Sequence, residues 1–539
     1  MIYFIPSNFD VDQHTAAYPP TEITKFKKDK LLYVVSLIVS IPANNKDLQA
    51  WGGFVPINSV ALKNTIGNNY KTYLNYLTRT GVFEENAQYI VGETSRKYRL
   101  TSHYRGGFRE IELLKGFTAR VKKANEKAIA KVLLDDRCKP HAHLLDWYLR
   151  GKLELDIEAV REYLHKTMLK DKVRVYDDSH SRLKGRIKEV NRSRRSQQDL
   201  DRVKLTRREK AIHKYFSTLQ AAVRVSEQVY FFKVDEKAGR VHTSLSNLKR
   251  EFRNFLTYDG KRLVEIDVKN SQPFFSLAIL NRAFWEGKEG GVCETNFSIS
   301  SNVLLTSTDN TTYCNTPITQ VPMSFTQQHT EGLYTHHTYQ RLHNTSSLVM
   351  FRDLVGDIDR EELERYRDLV ISGGVYEYLL EEYRNRTGRE NIQRDDMKKV
   401  VFTILFSKNE EDMAEPRTLK ERNSRESRVL AKDTFRSCFP TIYRVFEKIK
   451  EGNNALLACL LQSVEAYVIL SKVCERVKTE RPDLPLFTIH DSLMTTEGNE
   501  LYLKRVMEEE FERYIGAVPN LTVKLLCPEN LESKMARAA

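Results

Sequence analysis

The apolar positions near the start of the chain repeat with helical spacing in two adjacent segments. The first covers residues 58–66, and Gly67 stops it. The second places Tyr70, Leu74 and Leu77 on one helical face, at positions i, i+4 and i+7. The pattern therefore predicts two short helices joined by a turn.

Two strand-like runs, 82–84 and 88–91, follow these helices and lead into the basic sequence SRKYRLT. This order resembles a winged helix-turn-helix, which places one helix in a DNA groove. The resemblance implies phosphate and groove contacts from polar and basic residues of the second helix and the tip: Lys71, Thr72, Asn75, Arg79, Arg96, Lys97 and Arg99. Winged helices also serve as protein-docking modules, and that alternative stays open.

Two later segments differ from the helical spacing that fills most of the remaining chain. Residues 181–214 hold thirteen Lys and Arg against four Asp and Glu. A cationic helix there would follow a phosphate backbone. Residues 291–349 hold four charged residues and nineteen Ser and Thr, which predicts a flexible insertion.

The charge and cysteine content narrow the class of protein. The 539 residues carry a formal net charge of +13, which favours nucleic acid, before an acidic membrane, as partner. The seven scattered cysteines lack a CxxC pair and predict reduced thiols in an intracellular, cytoplasmic protein. The start of the chain shows no signal peptide, and the longest apolar run, Leu31–Ile41, is too short for a bilayer. We expect a core helix or strand there and no membrane partner.

Two apolar runs each lead to a carboxylate followed by turn residues. The run 263–266 leads to Asp267, and the run 487–489 leads through His490 to Asp491. Buried strands that end on an acid hold its charge rigidly at the edge of a cleft. Side by side, two such carboxylates would bind two divalent cations about 3.5–4 Å apart, as phosphoryl transfer uses them. Oxygen ligands favour Mg²⁺, with Mn²⁺ as the alternative.

Four residues spaced by four, Arg394, Lys398, Phe402 and Phe406, lie along one face of a predicted helix. A guanidinium and an ammonium one turn apart suit triphosphate oxygens, and the rings that follow suit a sugar and base. Basic residues at the start of a helix oppose its dipole, which indicates an anion nearby. An ordinary amphipathic helix with a basic first turn is the alternative.

In chain order, these features resemble the motifs of family A DNA polymerases and of their relatives, the single-subunit RNA polymerases of phage and mitochondria. The family has an Asp-terminated strand, a helix of pattern R-x3-K-x3-F-x3-Y and an HD-containing turn. Asp267, residues 394–406 and His490-Asp491 match them. Further likeness lies in Gly239-Arg240, Asn247-Leu248, 260–264, 372–376 and Gln462. The resemblance covers roughly 180–527 outside the insertion.

The resemblance implies an α+β fold of the right-hand polymerase type, mostly helical, with palm, fingers and thumb around an antiparallel palm sheet. Metal ions would bind Asp267, Asp491 and the carbonyl of Val268. Lys398 would also donate a proton to the leaving pyrophosphate. The nucleotide would contact Arg394, Lys398, Phe402, Phe406 and Gln272, and the primer-template would contact Arg240, Thr243, Gln462 and His490.

The sequence departs from the family pattern at the sugar pocket. Gln272 stands in place of the glutamate that excludes a ribose 2′-hydroxyl, and Phe406 replaces a tyrosine. If the alignment is shifted by two residues, Ser271-Gln272 matches the family's Ser-Gln and the sugar gate is lost or displaced. Ser492 after His-Asp is more like the RNA polymerases.

Together these features predict a template-directed nucleotidyltransferase acting on a DNA primer-template and nucleoside triphosphates. The leading interpretation is a DNA-directed DNA polymerase that replicates a virus, plasmid or mobile element. A single-subunit RNA polymerase or primase-like enzyme, with RNA as partner, is one alternative, and template-independent tailing is another. A third alternative is a catalytically inactive DNA-binding initiator or regulator.

The same features divide the chain into segments. They are a winged-helix-like module at 1–105, a helical connector at 106–180, thumb-like basic helices at 181–235, palm segments at 236–290 and 451–539, the insertion at 291–349 and fingers at 350–450.

Overall fold

The computed structural model describes residues 1–44, 53–86, 95–169, 205–285, 345–409 and 419–531. Within them, helices combine with antiparallel strands, so the architecture is α+β as expected. Residues 291–344 of the predicted insertion and most of the basic segment 181–214 lie outside the described residues, whereas residues 345–349 begin a helix.

The first elements confirm the predicted pair of helices. They are β1 (Ile2–Pro6), α1 (Val11–Ala17), α2 (Lys28–Asn44), β2 (Val55–Pro56), α3 (Ser59–Ile66), α4 (Tyr70–Arg79), β3 (Phe83–Asn86) and β4 (Lys97–Leu100). The side chain of Asn58 caps α3 by accepting from the Ala61 N–H, and Gly67 ends the helix with φ of 95°. The apolar run Leu31–Ile41 lies within α2. Strands β2, β4 and β3 form a three-stranded antiparallel sheet in that order.

The basic tip differs from the prediction in its second strand. That strand is β4, whereas the run 88–91 lies outside the described residues. Arg99 is 2% exposed and forms an ion pair of 2.7 Å with Glu84. The prediction that Arg99 contacts nucleic acid is wrong, because its side chain points into the protein and lies over the Phe54 ring.

The predicted helical connector also contains strands. Its elements are β5 (Phe108–Glu112), α5 (Lys115–Val132), α6 (Ala142–Leu149), β6 (Leu153–Leu155) and α7 (Ile157–Leu164). The strand β5 pairs with β1, and β6 joins the large sheet described below. Both strands are short and pair with distant residues, so periodicity gave no signal for them.

The described end of the basic segment enters a core helix, α8 (Arg207–Ser226). Thr206 and Glu209 form a capping box at its start. The helix packs against α2 and α7 through buried side chains such as Ile212 and Leu219. This part of the segment is therefore integrated into the fold and is not a free cationic rod.

One six-stranded antiparallel sheet organises the centre of the protein. Its strands include β9 (Leu256–Tyr258), β10 (Lys261–Val268), β11 (Phe487–Ile489), β12 (Ser492–Thr496) and β13 (Leu521–Leu525). The order is β11-β12-β10-β9-β6, and β13 also pairs with β10. Nearby are the hairpin of β7 (Phe232–Val234) and β8 (Val241–Thr243), and the helices α9 (Ser244–Asn247) and α10 (Ser271–Ile279). The strands predicted to carry the two acids are thus confirmed.

Helices make up most of the described residues from 345 onwards. They are α11 (Thr345–Gly356), α12 (Arg360–Ser372), α13 (Val375–Thr387), α14 (Arg394–Phe406), α15 (Leu419–Cys438), α16 (Pro440–Lys450), α17 (Leu456–Ala466), α18 (Glu475–Glu480) and α19 (Glu500–Ile515). The predicted helix with four-residue spacing is α14.

A π-helical segment, Tyr467–Cys474, joins α17 to α18, so that one helix runs over Leu456–Glu480. This helix is long and apolar enough to cross a membrane by length and composition alone. Of its most apolar window, 67% is buried inside the protein, as for the core helix of a folded domain. The five cysteines among the described residues are free thiols, as predicted.

Candidate active site

The two predicted acids lie beside each other on neighbouring strands. In the pairing of β10 with β12, Asp267 lies opposite Ser492, the residue that follows Asp491. Leu263 to Ile266 of β10 are buried, and the pairing of this strand with both β12 and β13 fixes its position. Because Asp491 occupies the two-residue turn between β11 and β12, its carboxylate lies at the same end of the sheet as that of Asp267.

Negative charge is crowded around Asp267. Burial, followed by the charges of Asp491 and Glu265, raises the pKa of Asp267 to about 6, whereas Arg250 and Arg253 oppose the rise. The Arg250 guanidinium lies 3.8 Å from the carboxylate and is exposed. The side chain of Asp267 is 36% exposed, so a ligand from solvent can reach it.

A buried ion pair lies beneath this carboxylate. Glu265, two residues earlier on β10, is 3% exposed and pairs with Arg253 at 3.0 Å. The Ser492 hydroxyl donates to the same Glu265 oxygen at 3.3 Å. Because residues i and i+2 of a strand share one face, the pair lies on the same side of the sheet as Asp267.

The turn that carries Asp491 has an unusual backbone. His490 has φ of 55°, a left-handed conformation that is uncommon for a residue other than glycine. Its ring packs edge-on against that of His242, with centroids 5.5 Å apart. His242 in turn contacts the Asp235 carboxylate at 3.3 Å. The two histidines and Asp235 thus brace the turn from the β7–β8 hairpin.

A second buried carboxylate, Glu465 on α17, joins two of the predicted site residues. It is 1% exposed and accepts hydrogen bonds from Arg240 at 2.6 Å and from the Gln272 Nε2 at 2.9 Å. Burial raises the pKa of Glu465 to about 7, although Arg240 opposes the rise. The charge of Asp491 adds to it, so Glu465 lies within electrostatic reach of the two-acid site.

The basic end of α14 faces the same region through Tyr376. The Arg394 guanidinium lies 5.1 Å from the centre of the Tyr376 ring and pairs with Glu377. Burial raises the pKa of Tyr376, and the charges of Glu377 and Asp491 raise it further. The Arg394 charge opposes this rise. Tyr376 is therefore within electrostatic reach of both Arg394 and Asp491.

Two further members of the spaced set, Lys398 and Phe402, face outwards from this helix. Lys398 is 45% exposed and pairs with Asp395 at 2.8 Å. Phe402 is 53% exposed, and its ring lies 5.3 Å from that of Phe406. The four residues share one helix, as the spacing predicted, and they offer two cations and two rings in sequence.

The joint between α12 and α13 approaches the loop after Asp267. Gly373 ends α12 with φ of 83°. A Cβ atom on Gly373 would lie 3.6 Å from the Asn270 Nδ2 and 3.9 Å from the Lys269 Cδ. Asn270 itself has φ of 54° at the start of α10. Two left-handed residues thus meet where the helical part contacts the sheet.

The residues predicted to contact nucleic acid lie in different parts of the structure. Thr243 is 1% exposed and its hydroxyl accepts from Tyr148, so the prediction of a nucleic-acid contact there is wrong. Arg240 and the half-buried Gln462 lie near Glu465, and His490 lies in the turn. Lys71, Arg79 and Arg96 are exposed on the N-terminal elements, the latter two paired with Glu22 and Glu85.

Sequence reasoning missed Glu465, Glu265 and Arg253. Glu465 could have been found from the sequence, because it is the one charged residue in the apolar run LLACLLQSVEAYVIL. A carboxylate buried in such a run is rarely without a partner. Glu265 and Arg253 gave none, since their pairing depends on the fold. Within the described residues, no group of three or more His, Cys, Asp and Glu side chains is placed to hold a metal ion. At the two-acid site, the side chains that would ligate a metal ion are therefore those of Asp267 and Asp491.

Comparisons with known proteins do not assign this chain to a family. No protein-family model matches the sequence, and no curated protein matches it. Among solved structures 24 chains match. One is the POL domain of Pol1 from M. smegmatis in complex with DNA primer-template and dNTP, which is 10% identical. The match covers 76% of this chain and 72% of that chain with a TM-score of 0.37. Because a TM-score this low does not establish a shared fold, we draw no conclusion from the likeness.

Proposed function

We propose that the protein is a template-directed nucleotidyltransferase that extends a primer by two-metal phosphoryl transfer. The observation that carries the proposal is the meeting of two carboxylates at one end of the central sheet, Asp267 on β10 and Asp491 in the β11–β12 turn, within electrostatic reach of Tyr376, against which Arg394 of α14 packs. The order of the motifs along the chain supports the same chemistry. The proposal includes a right-hand arrangement, with the large sheet as palm and α11 to α16 as fingers.

The residues present fit Mg²⁺. Asp267 and Asp491, with the carbonyl of Val268, offer hard oxygen ligands, and Mg²⁺ commonly keeps several waters beside one or two carboxylates. The raised pKa of Asp267 reflects crowded negative charge, which a divalent cation would relieve. When bound, two ions would activate the primer hydroxyl and neutralise the leaving pyrophosphate, with Mn²⁺ as a substitute.

The residues of α14 would hold the nucleotide. Arg394 and Lys398 would exchange their exposed partners, Glu377 and Asp395, for triphosphate oxygens, and exposed ion pairs cost little to break. Lys398 would then donate a proton to the leaving pyrophosphate. The exposed face of Phe402 suits stacking on the sugar or base, with Phe406 beside it.

The nucleic acid would be held by several parts of the chain. Arg240, Gln462 and His490 would contact the primer-template next to the two-acid site. The N-terminal elements have the strand and helix order of a winged helix, and their Lys71, Arg79 and Arg96 would contact duplex DNA. We assign replication of a virus, plasmid or mobile element as the role.

One observation favours an RNA polymerase or primase-like enzyme as the second candidate. Glu465 accepts a hydrogen bond from the Nε2 of Gln272, and the buried carbonyl Oε1 of Gln272 has no partner within the described residues. A carbonyl oxygen suits a ribose 2′-hydroxyl, whereas a carboxylate in a DNA polymerase of the family rejects it. Phe406 also lacks the hydroxyl that would anchor such a carboxylate.

A primer-extension assay tests both candidates. The purified full chain receives a primed DNA template, Mg²⁺ and either dNTPs or rNTPs. We expect dNTP incorporation, reduced about 10³-fold or more by Asp267→Asn or Asp491→Asn, because each substitution removes a metal ligand worth several kcal/mol. Asp483→Asn, which changes an exposed carboxylate paired with Arg481, is the matched control and should keep full activity.

The other outcomes are equally informative. Preferential use of rNTPs would overturn the DNA polymerase assignment and support the second candidate. Extension without a template would indicate tailing. Absence of extension with every template, together with unchanged biological activity of both Asp→Asn variants, would leave the protein as a DNA-binding initiator or regulator.

A further inference from the structure

The helix α5 carries a row of cations on its exposed side. Its eighteen residues hold six Lys and Arg and one Glu. Arg120, Lys123, Lys127 and Lys131 follow one another at spacings of three, four and four, which places them within about 80° of the helix circumference. All four are exposed. The row extends about 16 Å along the axis, with a cation roughly every 5 Å.

None of these four cations forms an ion pair in the part of the chain that the structure describes. The one ion pair of the helix there joins Lys122, outside the row, to Glu227 at 3.8 Å. Other surface cations have a carboxylate partner, for example Lys504 with Glu508 at 3.3 Å and Arg360 with Glu364 at 3.0 Å. An unpaired row of like charges is unfavourable in isolation, and a polyanion would relieve it.

The row continues towards the start of α2. The Asp29 carboxylate accepts from the Leu114 N–H at 3.0 Å and so ties the first turn of α5 to α2. Burial lowers the pKa of Lys30, and the charges of Arg120 and Lys27 lower it further. Arg120 is therefore close to Lys30 of α2, which makes the surface wider than one helix.

The opposite face of α5 decides between the polyanions. Phe117, Val121 and Ile129 are buried in the protein core, so the helix has no apolar face to insert into a lipid surface. Single-stranded nucleic acid is usually held by exposed aromatic rings between the cations. The row has none, because the aromatic residue of the helix is the buried Phe117. A rigid straight row of cations suits the regular phosphates of a duplex.

We propose that the row Arg120, Lys123, Lys127 and Lys131 binds the phosphate backbone of double-stranded nucleic acid, independently of base sequence. This surface lies outside the two-acid site and outside the α4 helix, and it goes beyond the proposed catalytic function. It would hold the duplex while other residues position the primer end.

The test is the salt dependence of duplex binding by the full chain. A fluorescent blunt DNA duplex of about 30 base pairs is titrated at several salt concentrations. The variant R120Q/K123Q/K127Q/K131Q removes the row, and glutamine is a good helix former. Each phosphate contact contributes about 0.9 to the slope of log affinity against log salt, so we expect the slope to fall by about 3.6 and binding near 0.1 M salt to weaken about 10²-fold or more.

A control variant removes the same charge elsewhere. R360Q/K448Q/K504Q/R505Q changes four surface cations that each pair with a nearby glutamate. It should keep the parent slope. Circular dichroism and the thermal midpoint check that both variants are folded.

Three results would overturn the proposal. The first is an unchanged salt slope in the row variant. The second is a fall of the salt slope in the control variant equal to that in the row variant. The third is that the row variant still binds the duplex like the parent but no longer binds vesicles of anionic phospholipid, which the parent binds. Asp267→Asn should bind the duplex with the parent slope, so a failure of catalysis and a failure of this surface give separate readouts.

Discussion

Asp267 shows how neighbouring charges set the behaviour of one carboxylate. Its pKa in the folded chain is raised to about 6 by burial and by Asp491 and Glu265. An unfolded aspartate has a pKa of about 3.9. Because the folded value is the higher one, the associated stability is fully present below the unfolded pKa and is lost as the pH rises through 6.

We therefore predict that Asp267→Asn stabilises the protein at neutral and alkaline pH in the presence of a chelator. At pH 8 the free energy of unfolding should rise by on the order of 1 kcal/mol, after allowance for solvent screening of this half-exposed group. The gain should narrow as the pH falls below 6. Urea denaturation between pH 5 and 8 measures it.

Two comparisons complete this test. Asp483→Asn should give no such gain, because its carboxylate is favourably paired with Arg481, which lowers its pKa. Added Mg²⁺ should stabilise the parent more than Asp267→Asn, since a ligand of the folded state adds to stability. If Asp267→Asn were less stable than the parent at pH 8, crowded negative charge would not be what sets the pKa of Asp267.

At this scale, the sequence identified the acids and missed what surrounds them. Asp267 and Asp491 could be recognised because each follows an apolar run. Thr243 and Arg99 were misplaced, because residue type and spacing do not reveal which way a side chain of a short strand points. The role of Glu465 depends on a contact between α17 and α10, more than 190 residues apart, which local patterns do not encode.

Among the elements, long periodic segments were predictable and short ones were not. The helix α14 and the strand β10 agree closely with the sequence pattern, since each has a regular apolar face. The strands β5 and β6 were missed because their stability comes from pairing with β1 and β9. Three- to five-residue strands carry too few alternations to distinguish them from loops or helix ends.

The joint between α12 and α13 gives a prediction at this scale. Gly373→Ala should cost about 1–2 kcal/mol of stability, because φ of 83° is unfavourable for a residue with a Cβ atom. Relaxation of this angle would tilt α13, which carries Tyr376 beside Asp491. We therefore expect extension activity of the variant to fall about tenfold even where it is fully folded.

Gly516→Ala is the matched control for this prediction. Gly516 ends α19 with φ of 76° and, like Gly373, would leave an added Cβ without a close clash. The two variants should lose similar stability in urea denaturation, but the control should keep its activity. Equal activities of the two folded variants would contradict a positioning role for the Gly373 joint.

In the molecule as a whole, strand pairing crosses the segment boundaries that composition suggested. The first strand, β1, pairs with β5 beyond residue 105, and Phe4 on β1 packs 5.2 Å from Phe216 on α8. Composition changes mark insertions and charged segments well, but they do not reveal which segments share a core. The N-terminal elements are thus built into the rest of the described structure.

We predict that Phe4→Ala weakens the whole protein and not the N-terminal elements alone. Phe4 is fully buried, so its truncation should cost about 3–5 kcal/mol. Calorimetry should show one unfolding transition at a lower temperature. Leu501→Ala, at a side chain that is 79% exposed, should leave the transition unchanged. Two separate transitions, with one unaffected by Phe4→Ala, would contradict this shared core.

The pairing of β10 on both edges has a consequence for the time scale on which the site can change. The amide hydrogens of Val264 to Asp267 lie between β12 and β13, so they exchange with solvent only when the central sheet opens. The turn at His490, by contrast, lies outside these paired strands and is held by the packing of His490 against His242. Adjustment of the two acids to a ligand would therefore come from Asp491, while Asp267 stays fixed for as long as the protein remains folded.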